Sequence, residues 1–388
     1  MNGQRIRALD AARGIAMLLV CVVHFLDIYQ WQEGGGSEWF FYPIIWACRT
    51  ASPMFVLLSG ILLGYQFTAR KTQFGTFRIH LLDRALFTAT VGHVVLALSL
   101  AERMGLVTAL SRGYITDTLV FCVICGVYLI SVTGGNIRLI IGMFLGLGSW
   151  YLCLAWTPDN PILLLIKSVL IGQPLESESV FNWPLFPWLG LYLVGSSVGE
   201  WIGHFNVQDL WLASRRLFRV SAVLVTGAIG LQVARVLMRQ FDLLSPAGAW
   251  YQYIPNFSKH PPGSLYFLFY GGVSLLILSA LLAANNRPLR DRICTRFLEP
   301  IGRNSLTIFI TQFFLYYTLL HLFLTKITMV TPVIAVVLLL LSLGVICGVA
   351  GLCERYKTSR FLTTGVPVLI APITGTVRAG RVKLRQAA

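Results

Sequence analysis

The sequence predicts an all-α fold: a polytopic integral membrane helix bundle of about ten transmembrane helices, both termini in the cytoplasm. Three observations predict it: the composition, the lengths of the apolar runs and the placement of positive charge. Of the 388 residues, 56% are hydrophobic and 12% charged, against about 25% charged in soluble domains. The mean hydropathy of +0.71 is too apolar for a water-facing surface. No polar stretch is long enough to form a separate soluble domain, so residues 1–354 read as a single membrane domain and 355–388 as a basic cytoplasmic tail.

A membrane-spanning helix needs about 20 mostly apolar residues. Ten such runs lie near 12–30, 43–66, 80–101, 115–132, 137–156, 185–203, 217–238, 264–284, 304–325 and 329–353. The first ends in VVHFLDIYQWQ without a small-residue cleavage site and reads as a retained helix, not a signal peptide. The run at 161–171 is too short to span and belongs at the surface.

The net charge of +15 is read as topology. With these ten spans, 23 Lys and Arg fall on one side and six on the other, Arg49 and Arg235 lying within helices. Cytoplasmic loops collect Lys and Arg, so the bias sets both termini in the cytoplasm and argues against a nucleic-acid partner. The expected location is a bacterial-type inner (plasma) membrane, multi-pass, with the bilayer as constant partner; association into homo-oligomers is left open. Of eight cysteines, Cys122 and Cys125 form a CxxC, but without a second pair or a nearby His they read as buried thiols; no metal site is expected.

Ionisable residues inside a bilayer are costly and mark functional sites or paths. The first helix carries Asp10, Arg13, His24 and Asp27. Arg13 and His24 are eleven residues apart, about three turns, so they point the same way about 16 Å from one another. Asp10 and Asp27 lie three residues outside each, close to the same stripe. A carboxylate at Asp27 would orient the His24 ring and leave its other nitrogen to take a proton; the plainer use of such a His is helix packing. Arg49, just inside the outer interface, would hold an anionic group or Asp27, or else snorkel to the surface. Ser52, Ser59, Gly60 and Gly64 permit close helix packing. His93 and His321 read as packing residues. Lys259 and His260 precede Pro261 and Pro262, which impose a rigid geometry on an outer loop; His260 joins Arg49 as a candidate for binding substrate.

These residues carry a resemblance. RIRALDAARGIAMLLVCVVHF resembles the opening of membrane-bound acyltransferases that acylate sugars and other acceptors, in which an Arg and a His are separated by ten residues, as Arg13 and His24 are. The sequence is most similar to the heparan-α-glucosaminide N-acetyltransferase family and its bacterial relatives, through ASPMFVLLSG (51–60), FPWLGLYLVG (186–195), KHPPGSLYFLFYGG (259–272) and IGRNSLTIFITQ (301–312). The resemblance implies transfer of an acyl group, usually acetyl, from cytoplasmic acyl-CoA (a co-substrate, with no tightly bound cofactor) to a hydroxyl or amine of a sugar-like or envelope acceptor. It makes His24 the catalytic His, as general base or acyl carrier, and Arg13 the motif Arg. Bacterial relatives often have a His where this chain has Gln312, which bonds hydrogen but shuttles no proton. The animal enzyme's reactive His, in the outer segment after helix 1, has no counterpart between residues 25 and 79. Arg78, Arg84 and Arg303 are the candidates for the CoA phosphates, since Arg pairs with phosphate in bidentate fashion; positive-inside topology alone would also place them there. The alternative reading is a transporter or permease for a small polar or glycan metabolite, and a third a non-enzymatic component of envelope assembly.

Overall fold

The structure, a computed structural model, describes residues 6–32, 41–173, 183–240, 257–259, 261–284, 297–324, 331–358 and 362–365. The helices in chain order are α1 (Arg7–Gln32), α2 (Tyr42–Cys48), α3 (Ala51–Ala69), α4 (Phe74–Phe87), α5 (His93–Met104), α6 (Leu106–Ser111), α7 (Ile115–Val132), α8 (Gly135–Ala155), α9 (Pro161–Leu170), α10 (Leu185–Gly203) and α11 (Leu210–Gln240). They continue with α12 (Ser264–Tyr266), α13 (Gly272–Ala283), α14 (Glu299–Arg303), α15 (Ser305–Phe314), α16 (His321–Leu324) and α17 (Pro332–Tyr356). π-Helical turns at Thr88–Gly92, Phe267–Gly271 and Leu315–Leu320 fuse α4 with α5, α12 with α13 and α15 with α16. Among the described residues the only extended pairing is an isolated bridge between Lys259 and Pro262.

Nine helical stretches among the described residues are long and apolar enough to cross a membrane. They match nine of the ten expected runs. The tenth, α10, is a helix of 19 residues, but its glycines, serines and Glu200 make it less apolar than the others. It is surrounded by protein, with thirteen of its residues buried. α9 has only 10 residues, capped by the Asn160 side chain accepting from the Ile162 amide at 2.9 Å, and is too short to span. At the opposite extreme, α8, α11 and α17 turn large apolar side chains outward, Phe144 at 72%, Val223 at 70% and Leu340 at 63% exposure, as a lipid-facing surface requires.

Small residues set the packing of the interior. A Cβ on Gly60 of α3 would lie 2.1 Å from the Tyr192 carbonyl oxygen of α10, and one on Gly64 would lie 1.9 Å from that of Ser196. On the other face of α10, Gly190 approaches Gly146 of α8, where an added Cβ would lie 2.3 Å from its amide nitrogen. Backbones this close gain dispersion contacts that larger residues would forbid, which is how helices associate where lipid offers no hydrophobic drive. α3, α10 and α8 thus form a tight slab. α1 is fixed to α14 in the same way, through Gly14 against the Leu298 backbone and Gly302 against the Asp10 carbonyl. Of the small residues expected to pack α3, Gly60 and Gly64 do so, whereas Ser52 and Ser59 line a cavity.

Candidate functional site

Between α1, α3, α4, α7 and α15 lies a cavity of about 480 Å³, within the usual range for small-molecule sites, roughly 300–1,000 Å³. Its length follows α1. One end is lined by Asp10, Arg13, Arg70 and Arg84, with Tyr65, Gln66 and Thr88; the other by His24, Arg49, Trp183 and Lys259. Between them the wall is mostly apolar, with Val20, Phe55, Leu62, Leu119 and Val123, relieved by Ser52 and Ser59. A chain of protein-lined polar groups connected by an apolar waist therefore joins the two ends of the bundle.

Periodicity places Arg13 and His24 on one face of α1, and both line this cavity. Arg13 donates from Nη2 to the Ser305 hydroxyl at 2.5 Å, which ties it to the start of α15. His24 is held by α15 as well. Its Nδ1 lies 2.9 Å from the Gln312 Oε1, and the Gln312 Nε2 donates to the Phe309 carbonyl at 3.1 Å. That second bond decides the chemistry. With the amide nitrogen committed to Phe309, the oxygen faces the imidazole, and an oxygen only accepts. The proton therefore sits on Nδ1, and Nε2 carries the lone pair. Phe309, Phe313 and Tyr317 enclose the ring edge-on at 6.4, 4.8 and 5.6 Å, fixing its plane. Among the described residues no group bonds Nε2, which is the nitrogen a substrate in the cavity would meet.

Asp27 was expected to provide this orientation, and the structure corrects that. Its carboxylate accepts from the Arg103 Nη1 at 3.0 Å and from the Tyr317 hydroxyl at 3.0 Å, and it does not line the cavity. Spacing of three residues puts Asp27 beside His24 along α1, but its side chain lies at the half-exposed end of the helix, where the Arg103 guanidinium is the stronger partner. Asp10, the other acid of the stripe, is buried and lies 3.8 Å from the Arg303 Nε.

The arginines expected for phosphate separate into three cases. Arg84 lines the cavity. Arg78 stacks over the Tyr128 ring at 5.8 Å and lies outside it. Arg303 bonds Glu299 at 2.6 Å and Glu354 at 3.4 Å in addition to Asp10, with Asn304 also donating to Glu354 at 3.2 Å; this network joins α1, α14 and α17 and occupies the guanidinium. Arg70, counted in the sequence only as a topological charge, lines the cavity beside Arg84.

At the far end Arg49 stands at the α2–α3 junction, its guanidinium 4.6 Å over the Trp46 ring, its backbone carbonyl held by the Tyr266 hydroxyl at 3.1 Å. Lys259 reaches the same end of the cavity, its Nζ 4.7 Å over Trp183, whose backbone oxygen accepts from Thr118 at 2.7 Å. The Lys259–Pro262 bridge and a bond from the Gly263 amide to the Ser258 carbonyl at 3.1 Å close the turn that presents this lysine. Burial and the charge of Arg49 push the Lys259 ammonium down to about 8, against the opposing field of Asp27. His260 lies outside the described residues. His93, expected to pack, does so: Asp117 and the Leu110 carbonyl, at 3.0 Å each, take up both ring nitrogens.

The family model for heparan-alpha-glucosaminide N-acetyltransferase, catalytic, matches residues 5–233, which include α1, α3, α4 and α7 of the cavity wall. The model for OpgC protein matches residues 147–358, which include α15 and Lys259. No curated protein and no solved structure matches the chain. With more than half of its length matched, including the helix that carries Arg13 and His24, the chain belongs to the heparan-α-glucosaminide N-acetyltransferase family and is a multi-pass membrane enzyme of the acyltransferase type.

Proposed function

We propose that this protein transfers an acyl group, probe substrate acetyl-CoA, to a hydroxyl or amine of a sugar-like acceptor, with His24 as general base. The observation that carries the reading is the single cavity that leads from Arg13, Arg70 and Arg84 to a histidine whose proton is held on Nδ1. The arginine end suits the phosphates of CoA, which bidentate guanidinium contacts hold well, and the apolar waist suits a thin acyl-pantetheine arm. This end then faces the cytoplasm of an inner-membrane protein, in keeping with the positive-inside bias of the loops.

In the reaction, His24 Nε2 takes the proton of the acceptor O–H or N–H. The acceptor atom attacks the thioester carbonyl, the C–S bond breaks, and the CoA thiolate leaves with the proton returned from the imidazolium. Gln312 is a positioning residue in this scheme: it keeps Nε2 basic by holding the other nitrogen as a donor. A histidine that only packed helices would need neither a fixed tautomer nor an open second nitrogen on a cavity wall, which favours the enzyme over the permease.

The test is binding of acetyl-CoA, CoA and 3′-dephospho-CoA to the detergent-purified chain, followed by transfer of labelled acetyl to candidate acceptors. Micromolar binding that weakens without the 3′-phosphate, with transfer lost in His24→Ala, is the expected outcome. Folded protein that binds no acyl-CoA, or His24→Ala that transfers as well as the parent, would overturn the proposal.

A further inference from the structure

Resting on that reading, we infer that the acceptor carries an oxyanion group (a carboxylate, sulfate or phosphate ester) and that Arg49 and Lys259 hold it beside His24. The two cations line the same end of one cavity, and among the described residues neither forms an ion pair with a carboxylate. Their close neighbours are aromatic faces, Trp46 under Arg49 and Trp183 under Lys259. A ring face offers a cation only about 0.5–2 kcal/mol, far short of what a carboxylate supplies in a partly desolvated site. Asp27 acts on Lys259 through its field, but its carboxylate is already bonded to Arg103 and Tyr317.

Two other arginines of this chain show the paired arrangement. Buried Arg138 is paired with Glu200, and Arg303 contacts three acids. Arg49 and Lys259 are half-buried, and two like charges left together at one cavity end repel. What relieves the repulsion is an anion from outside the chain. A cleft with low-dielectric walls and one sign of charge also concentrates such a ligand. The placement is that of an acceptor site: the cations share their end of the cavity with His24 and are remote from the arginines assigned to the donor, Arg13 lying about 16 Å along α1 from His24. Lys259 and Trp183 come from different loops, each anchored by hydrogen bonds to its own surroundings, so the site is built before ligand arrives.

The experiment compares binding of glucuronate, glucose 6-phosphate and glucose to the full chain in neutral detergent, with parent protein, Lys259→Met, Lys259→Arg and Arg49→Met. The expected result is that both anionic sugars bind about tenfold or more tightly than glucose, as a charge-assisted hydrogen bond provides. Lys259→Met and Arg49→Met each remove most of that preference, Lys259→Arg keeps it, and added salt weakens it. Equal affinities for all three sugars, no anion binding by folded protein, or a preference unchanged in the Met variants overturns the inference. An anionic lipid headgroup is the other source of the same chemistry: if phosphatidylglycerol binds in place of the sugars and they fail to displace it, the acceptor assignment is wrong. Should a Met variant not fold, the salt dependence of the parent and the Lys259→Arg result still decide. Labelled acetyl transfer separates the two readings. Transfer to glucose and glucuronate at equal rates leaves the acyltransferase standing and removes the anion site, whereas anion preference with no transfer to any acceptor does the reverse.

Discussion

Arg303 and the Arg49–Lys259 pair are cations of the same bundle with opposite surroundings. Arg303 sits among Asp10, Glu299 and Glu354, two of them with side chains 5% and 3% exposed. Arg49 and Lys259 sit over tryptophans at a cavity end without an ion-paired acid. The first arrangement is complete within the chain and joins α1, α14 and α17. The second has no ion-paired acid among the described residues, which is the ground for inferring a ligand anion there. A positive charge in the sequence therefore says little about ligand binding until its counterion is located, and the difference separates structural arginines from those open to substrate.

The largest effect that would sharpen this contrast is at the group the cations flank. His24→Ala is expected to lower acyl transfer by ~10²–10⁴-fold, the usual contribution of a positioned general base, with the melting temperature close to that of the parent; transfer and melting are measured on the same preparation. Next is Arg303→Gln. Glu299 keeps Arg7, but loss of the guanidinium that faces Asp10, Glu299 and Glu354 costs about 1.5–3 kcal/mol, read as a lower melting temperature, while acetyl-CoA affinity of the folded variant stays near the parent value. If Arg303→Gln instead folds normally and loses CoA affinity, the contrast collapses.

Gln312→Leu tests the positioning role. It removes the acceptor of the Nδ1 proton and is expected to reduce kcat by about tenfold or more, with acetyl-CoA affinity unchanged; Gln312→Glu, which still accepts from Nδ1, retains most of the rate. A loss of rate in both variants would mark packing and not tautomer control. Arg84→Gln and Arg70→Gln are each expected to weaken acetyl-CoA binding by about tenfold, and to weaken 3′-dephospho-CoA less if either meets that phosphate.

The smallest effect is on pH. Lys259 is charged below about 8 and neutral above it, so glucuronate affinity is full at neutral pH and falls as the pH rises through 8. Arg49 retains part of it, Asp27 opposes the loss, and His24 also feels the lysine's charge. The sign for stability is the reverse. Since the ammonium is held below its ordinary 10.5, the unfolded chain binds the extra proton between the two values, and this group favours the folded state increasingly as pH rises from 8 to 10.5. Affinity for glucuronate that is flat across pH 7–9 would show that Lys259 does not meet the ligand.

Much of the fold was legible because the bilayer imposes its own length rule. Nine of the ten runs match stretches able to span, and α9 falls short as its length requires. α10 illustrates the limit. Its sequence is diluted with glycine and serine because it is enclosed by protein, and the glycines that dilute it are the ones that admit α3 and α8. The site was legible in part. Spacing along one helix put Arg13 and His24 on a common face, and both do line the cavity. The same argument misassigned Asp27, because helical periodicity gives a direction around the axis and is silent on which distant residue competes for the side chain.

The sequence alone determined the membrane class, the helix count to within one, and the Arg13–His24 stripe, since each follows from local composition or from periodicity within one segment. Only the tertiary structure decided which cations are neutralised, where the cavity runs, and which residue sets the His24 tautomer. His24 and Gln312 are 288 positions apart, and Arg13 and Ser305 are 292 apart. No local pattern encodes such pairs. They arise because glycine-mediated contact brings α1 against α14 and leads α15 alongside it, after which hydrogen-bond geometry fixes the proton on one nitrogen and leaves the other to the cavity.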